Sequence, residues 1–164
     1  TSALRARLNA AFSELTEQQL LDVNVFSFGF KHGMPSEADL MIDVRFLSNP
    51  FYDPEMRYLT GNDEKVARFV MDNKITRDFM DAWLRLLDVA MPGYVAEGKA
   101  RLSIAVGCTG GQHRSVAIAN ATAAHLKAQG YRVNLFHRDS RRLLLPPRTT
   151  LPRARGSQCP SPPR

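Results

Sequence analysis

The sequence predicts an α/β protein, a three-layer sandwich around a mostly parallel sheet with a phosphate-binding strand-loop-helix. Three observations carry that prediction. Short apolar runs at 23–28, 40–46, 101–107 and 131–137 alternate with longer segments whose apolar residues recur at helical spacing. The last part of the chain reads as strand, tight glycine turn, helix and strand, a βαβ unit that implies a parallel pair with a right-handed crossover. The turn of that unit is Gly107-Cys108-Thr109-Gly110-Gly111-Gln112-His113-Arg114-Ser115, with three glycines between a strand and a helix.

The elements follow in order. Leu4, Leu8, Ala11, Phe12 and Leu15 predict an amphipathic helix over 3–20. Val23 to Phe28 reads as a strand that ends in Gly29-Phe30-Lys31-His32-Gly33-Met34-Pro35, a loop punctuated by glycine. A second strand is expected over Leu40 to Phe46, with Leu40, Ile42, Val44 and Phe46 on one face and Asp43 and Arg45 on the other. Asn49-Pro50 and Asp53-Pro54 then break the chain into a long loop. Val66, Phe69 and Val70 mark one helix. Phe79, Trp83, Leu87 and Ala90 mark another, with Thr76 read as its cap and Pro92-Gly93 as its stop. Arg101 to Gly107 is a strand, Gln112 to Gln129 a helix closed by Gly130, and Tyr131 to His137 the last strand. Trp83 and the nine phenylalanines are read as mainly core.

At 164 residues the chain has room for one core. No apolar stretch approaches the roughly 20 residues of a membrane span, and Thr1 to Leu21 lacks the zones of a secretory signal. Cys108 and Cys159 make no disulfide framework, so a reducing cytoplasm is expected. The net charge of +6 is localised. Residues 137–164 hold seven arginines against the single acid Asp139, whereas residues 1–136 hold 15 basic and 15 acidic side chains. The same end holds six of the ten prolines, so 140–164 is read as a Pro/Arg-rich, disordered tail. It is either a solvated extension or an anion-binding arm.

The loop at 107–115 is the candidate site. Glycines let its N–H groups approach a ligand, and the following helix aims its free N–H groups and dipole at the same place. Concave N–H groups at a helix start bind anions. Arg114 adds a bidentate fork, and His113 and Thr109 add donors. The alternative is a glycine turn that only joins strand to helix.

A second chemistry is written over the same residues. Cys108 and Arg114 stand with five residues between them, and Ser115 follows, a spacing similar to the signature loop of cysteine-dependent phosphatases. There a thiolate attacks phosphorus while the arginine clamps the oxygens. Gly107 stands where those enzymes usually carry histidine, and the acids on offer are Asp39, Asp43 and Asp53. The chain has no Gly-Lys-Ser/Thr triplet and so no Walker A loop, and no metal-ligand spacing among its four histidines. His137-Arg138-Asp139 mimics a kinase triplet without the rest of that set.

Several segments in fixed order carry a resemblance: Ser27 to Gly33, Asp43-Val44-Arg45-Phe46-Leu47, Asn49-Pro50, Asp53-Pro54, Thr60-Gly61 and Gly107 to Ser115. Over about residues 20–139 the chain resembles the C-terminal domain of the bacterial RapZ/YvcJ family. The resemblance implies a cytoplasmic, homo-oligomeric protein whose ATP- and GTP-binding half precedes this domain. It implies no cofactor for this chain and assigns the family's ATPase and GTPase activity to that preceding half. It implies a regulatory role, with binding of an amino-sugar phosphate such as glucosamine-6-phosphate and of RNA, as in an RNase adapter. Its ligand residues would be Cys108, Thr109, Gly110, Gly111, Gln112, His113, Arg114 and Ser115, joined by Gly29, Lys31, Asp43 and Arg45. Arg138, Arg141 and Arg142 would meet RNA. Phe51 departs from the adapter branch, which has histidine there, and the arginine- and proline-rich end departs from that branch's lysine-containing one. The expected organisation is a connecting helix over 1–20, a phosphate-binding domain over 21–139 and the tail over 140–164.

Overall fold

The computed structural model describes residues 20–140. The helix expected over 3–20 and nearly all of the tail lie outside them. The elements are β1 (Asp22–Gly29), β2 (Leu40–Asp43), α1 (Glu64–Met71), α2 (Lys74–Ala96), β3 (Arg101–Cys108), α3 (Arg114–Ala128) and β4 (Arg132–His137). Single 3-10 turns stand at Phe30–His32 and Pro50–Tyr52. The four strands are parallel in the order β2-β3-β1-β4. This is the expected α/β class, and four parallel strands with three helices are consistent with a three-layer sandwich.

The predicted βαβ unit is present, but its strands are not neighbours. β1 lies between β3 and β4 and pairs with both, Val25 standing opposite Ile104 on one side and Leu135 on the other. Local sequence cannot show this, because the inserted strand comes from the start of the domain. The order has a consequence. From β1 the chain goes to β2, beyond β3; from β3 it goes to β4, beyond β1. Adjacent strands whose connections leave in opposite directions open a crevice at their carboxyl ends, where ligands of open α/β sheets bind. Here those ends are Gly29 and Cys108.

The main core joins one sheet face to α2 and α3. Val23, Val25, Leu102, Ile104 and Val106 meet Trp83, Leu87 and Met91 of α2 and Ile118, Ala119 and Leu126 of α3. Burying each large aliphatic side chain contributes about 1.5–3 kcal/mol. Trp83 needs a partner for its indole N–H, and Thr122 Oγ1 accepts it at 3.1 Å. A smaller cluster of Phe26, Phe28 and Ala105 is distinct from this core.

Three predicted boundaries move. β2 stops at Asp43 rather than Phe46, because Asp43 turns the chain by accepting the Arg45 N–H at 2.9 Å and its guanidinium at 2.7–3.0 Å. Phe46 is consequently exposed, as are Phe51, Phe69 and Phe136, so the phenylalanines are not uniformly core. The cap of α2 is Asn73, whose side chain accepts the Ile75 N–H at 3.0 Å, whereas Thr76 is buried inside the helix. Pro92-Gly93 does not stop α2. Pro92 frees only the Asp88 carbonyl, while buried Met91 and the partly buried Tyr94 and Val95 hold the last turn on the core. The stop is Gly98 at φ 82°, with Lys99 N–H donating to Tyr94 O at 3.1 Å.

Candidate functional site

The loop leaves β3 at Cys108 and enters α3 at Arg114. Its path depends on Gly111, which has φ 76° and lies so close to β1 that a Cβ would stand 2.6 Å from Gly29 N. The Gly111 N–H turns inward to Cys108 Sγ at 3.3 Å, and Ser115 Oγ lies 3.1 Å from the same sulfur. Two further segments pin the loop. Lys31 N–H donates to Thr109 O at 3.2 Å, and Gly61 N–H donates to Gln112 O at 2.8 Å. A Cβ on Gly61 would lie 2.3 Å from the His113 carbonyl oxygen, so the 60–61 turn closes directly on the loop.

Arg114 is 5% exposed, although it is charged. One guanidinium nitrogen, Nη1, donates to the carbonyls of Arg45 at 2.5 Å and Leu47 at 3.0 Å; Nη2 reaches Thr109 Oγ1 at 3.4 Å. Its Nε is buried with no hydrogen-bond partner. Among the described residues no carboxylate forms an ion pair with it. The Arg114 hydrogen bonds go to neutral groups, and the Asp43 carboxylate acts on its charge only through space, so the buried cation has room for a closer anion.

His113 is buried beside it, and its Nε2 has no partner. Burial pushes its pKa below the ordinary histidine value, against the opposing pull of the Leu59, Arg57 and Met56 carbonyls and helped by the Arg114 charge. The ring is neutral near pH 7.

These groups form the floor of a cavity of about 440 Å³, lined on one side by Cys108, Thr109, Gly110, Gln112, His113 and Arg114. The other wall is Lys31, Asn49, Phe51, Tyr52, Arg57 and Tyr58. Three cations line it and no carboxylate does. Two larger depressions, of about 690 and 740 Å³, lie along the 48–73 segment, but both are open and carry acids such as Glu64, Asp72, Asp53 and Glu55. The smaller one is cationic and carries no acid among its lining residues.

The other expected residues fall in three places. Gly29, Gly111 and Ser115 do not line the cavity and instead shape the loop, through the close approach of Gly111 to Gly29 and the Ser115–Cys108 contact. Asp43 and Arg45 form an exposed ion pair, whose hydrogen bonds hold the Asp43 carboxyl below the usual range, and the Arg45 guanidinium lies 4.2 Å from the centre of the Phe30 ring. Neither lines the cavity. Arg138 does not project as a free arm. It pairs with buried Asp139 at 2.8 Å and donates to Gly33 O at 2.6 Å, and Asp139 in turn accepts the Gly29 N–H at 2.9 Å. Burial opposes ionisation of Asp139, yet Arg138 and the Gly29 N–H outweigh it and keep the carboxyl below its ordinary value. Arg141 and Arg142 lie outside the described residues.

For nucleophilic chemistry at Cys108 an acid would have to face the thiol. Asp39 instead precedes β2 at the amino end of the sheet, paired with Lys99, while Asp53 caps Glu55 N. None of the three candidate acids lines the cavity. Among the described residues no His, Cys, Asp and Glu cluster is placed to hold a metal ion, and no helix is long and apolar enough to cross a membrane.

Sequence reading missed Asn49, Tyr52, Arg57 and Tyr58. Their signal was an aromatic- and proline-bearing loop, Asn49 to Tyr58, too long and too apolar to be a simple connection.

The family model of the RapZ C-terminal domain matches residues 21–141. A nucleotide-binding protein of Limosilactobacillus reuteri is 53% identical over 136 residues, which are 83% of this chain and 47% of that protein. One of Lactobacillus delbrueckii subsp. bulgaricus is 49% identical over 144 residues, 88% of this chain and 49% of its own. One of Clostridium botulinum is 48% identical over 141 residues, 85% and 48% respectively. The chain thus spans about half the length of the curated relatives it matches. The match covers every described strand and helix and the whole cationic loop, and the chain belongs to the RapZ C-terminal domain family.

Proposed function

We propose that this domain binds a phosphorylated small molecule in the cavity over Cys108 to Ser115 and acts as the sensing part of a longer regulatory protein. The observation that carries this is Arg114, a buried cation with no carboxylate partner among the described residues, at the floor of a cavity lined by two more cations and no acid. A phosphate would supply an anion beside the Arg114 guanidinium and lie before the amino end of α3. An amino-sugar phosphate such as glucosamine-6-phosphate is the ligand that the family resemblance brings. RNA is the macromolecular partner that the same resemblance and the arginine-rich end bring. The relatives are about twice as long and are named nucleotide-binding proteins, so residues 1–20 are read as the connection to a nucleotide-binding half, in a homo-oligomer.

The test is a thermal-shift series with inorganic phosphate, glucosamine-6-phosphate and unphosphorylated glucosamine. A ligand of the native state adds RT ln(1 + [L]/Kd), about 2.7 kcal/mol at a hundredfold excess over Kd. Stabilisation by the phosphorylated compounds alone supports the reading. No stabilisation by any phosphate compound at millimolar concentration removes it.

A further inference from the structure

The His137-Arg138-Asp139 triplet, at the end of β4, holds the end of β1 at successive points. His137 Nδ1 lies 2.8 Å from Ser27 Oγ, and the Arg138 N–H donates to Ser27 O at 3.0 Å. Asp139 Oδ2 accepts the Gly29 N–H at 2.9 Å, and Arg138 Nη2 donates to Gly33 O at 2.6 Å. Asp139 is fully buried and orients that guanidinium, accepting from its Nε at 3.0 Å and its Nη2 at 2.8 Å. The turn from Gly29 to Gly33 is therefore gripped at both ends by two adjacent side chains, and Asp139 stands 110 residues from Gly29 in sequence.

That turn carries Lys31, which lines the cavity. The Lys31 N–H donates to Thr109 O at 3.2 Å, and a Cβ on Gly110 would stand 3.8 Å from Lys31 Nζ, so the ammonium lies close to the loop. The same anchor meets the loop directly. A Cβ on Gly111 would stand 2.9 Å from Asp139 Cβ and 2.6 Å from Gly29 N. Asp139 thus packs against both the turn that bears the lysine and the loop that leads to Arg114.

An ammonium on a flexible stem acts as a point charge, and its pull on an anion falls with distance. Its effect depends on where the backbone roots the stem. A residue that fixes the root changes affinity without touching the ligand, and neither Arg138 nor Asp139 lines the cavity. Stability is a weak reason for such a pair, because burying a carboxylate costs about as much as pairing it returns. Geometry is the stronger one.

We infer that Asp139, acting through Arg138 and Gly29, is a positioning residue for the cavity: it holds the 29–33 turn so that Lys31 meets an anion over the Cys108–Arg114 loop. This rests on the phosphate-binding reading above.

Calorimetric titration of the 164-residue chain with inorganic phosphate and with glucosamine-6-phosphate tests it. Lys31→Ala should weaken both about three- to tenfold, the exposed rim making the contact weaker than a buried one. Asp139→Asn keeps the size of the side chain and removes the charge that holds Arg138, and it should weaken both at least as much. The double-mutant cycle separates positioning from mere structure. In the Asp139→Asn chain, Lys31→Ala should cost less than about twofold more, whereas Arg57→Ala, on the opposite wall, should cost the same as in the wild type. A merely structural role leaves both alanine variants with their full effects. Arg138→Met, at a partly exposed position, keeps the stem and removes the donors; it should show the same coupling to Lys31 even where Asp139→Asn does not fold. Unchanged affinity in these variants, or losses at Lys31 that simply add to theirs, overturns the inference and leaves the phosphate site standing. If the wild-type chain binds neither compound, the phosphate site falls and the inference with it.

Discussion

Arg114 holds two relations at once, and they predict different losses. Its Nη1 satisfies the carbonyls of Arg45 and Leu47, which joins the turn after β2 to the loop at Cys108, while the residue also lines the cavity. Hydrogen bonds to charged groups contribute about 1.5–3 kcal/mol, so Arg114→Ala should weaken a phosphorylated ligand about ten- to a hundredfold. It should also lower the denaturation midpoint, which Lys31→Ala at the exposed rim should not. Arg114→Lys restores the charge without the fork and recovers only part of the affinity. Unchanged affinity in Arg114→Ala, measured calorimetrically, removes the cradle. His113 gives a pH signature. Its folded pKa is depressed by burial, and so is that of His137. As pH falls through the unfolded value of about 6.5 the unfolded chain takes up protons first, so stability is full above that value and declines below it. The slope is at most about 1.4 kcal/mol per pH unit for each ring. Denaturation curves between about pH 7.5 and 5.5 should show this loss, and His113→Gln should flatten it in part; an unaltered slope would place the titration elsewhere. Asp139, held below its usual pKa, contributes in a separate and more acidic window.

Among the elements, α2 and the turn at Gly61 give the clearest contrasts between local and tertiary control. Asn73 caps α2 through a short-range hydrogen bond, and Asn73→Ala should cost about 1 kcal/mol in chemical denaturation. It also donates to Ser48 Oγ at 2.8 Å, which ties the helix start to the loop beyond β2. Gly61 is different, because its constraint comes from across the molecule: the His113 carbonyl oxygen occupies the place of a Cβ. Gly61→Ala must move the loop, and about 1–3 kcal/mol of destabilisation with weaker phosphate binding is expected. Strand and helix types were legible because apolar periodicity is a local property: Val23 to Phe28 and Arg101 to Gly107 needed no partner to be recognised. The end of β2 and the continuation of α2 past Pro92 were not, since Asp43–Arg45 pairing and the anchoring of Met91 and Tyr94 outweigh the local signals.

For the whole molecule, β3 and β4 are both parallel to β1, so Cys108 and His137 finish at the same end of the sheet. Arg138 is paired with Asp139 and donates to the carbonyl of Gly33, so the tail arginines are tested apart from it. Truncation after Ser140 keeps the Asp139 anchor of Gly29 and removes the tail. If the tail arginines contact phosphates of single-stranded RNA, log K should fall with log salt at about −0.7 per contact, and truncation should flatten that slope while weakening all sequences alike. Equal slopes for both chains exclude the tail from the RNA surface.

By itself the sequence determined the α/β class, the identity of the elements and the loop from Cys108 to Ser115, because periodicity and a glycine-rich turn at a helix start are encoded by neighbours along the chain. It also singled out Arg114, which the structure buries against the cavity. Only the tertiary structure decided that β1 separates β3 from β4 and so opens the crevice at Gly29 and Cys108. It alone brought Arg57, Tyr52 and Tyr58 to the cavity and took Asp43 and Arg45 away from it. These are relations between segments some 50 to 100 residues apart, and long-range packing sets them through contacts that no local pattern contains.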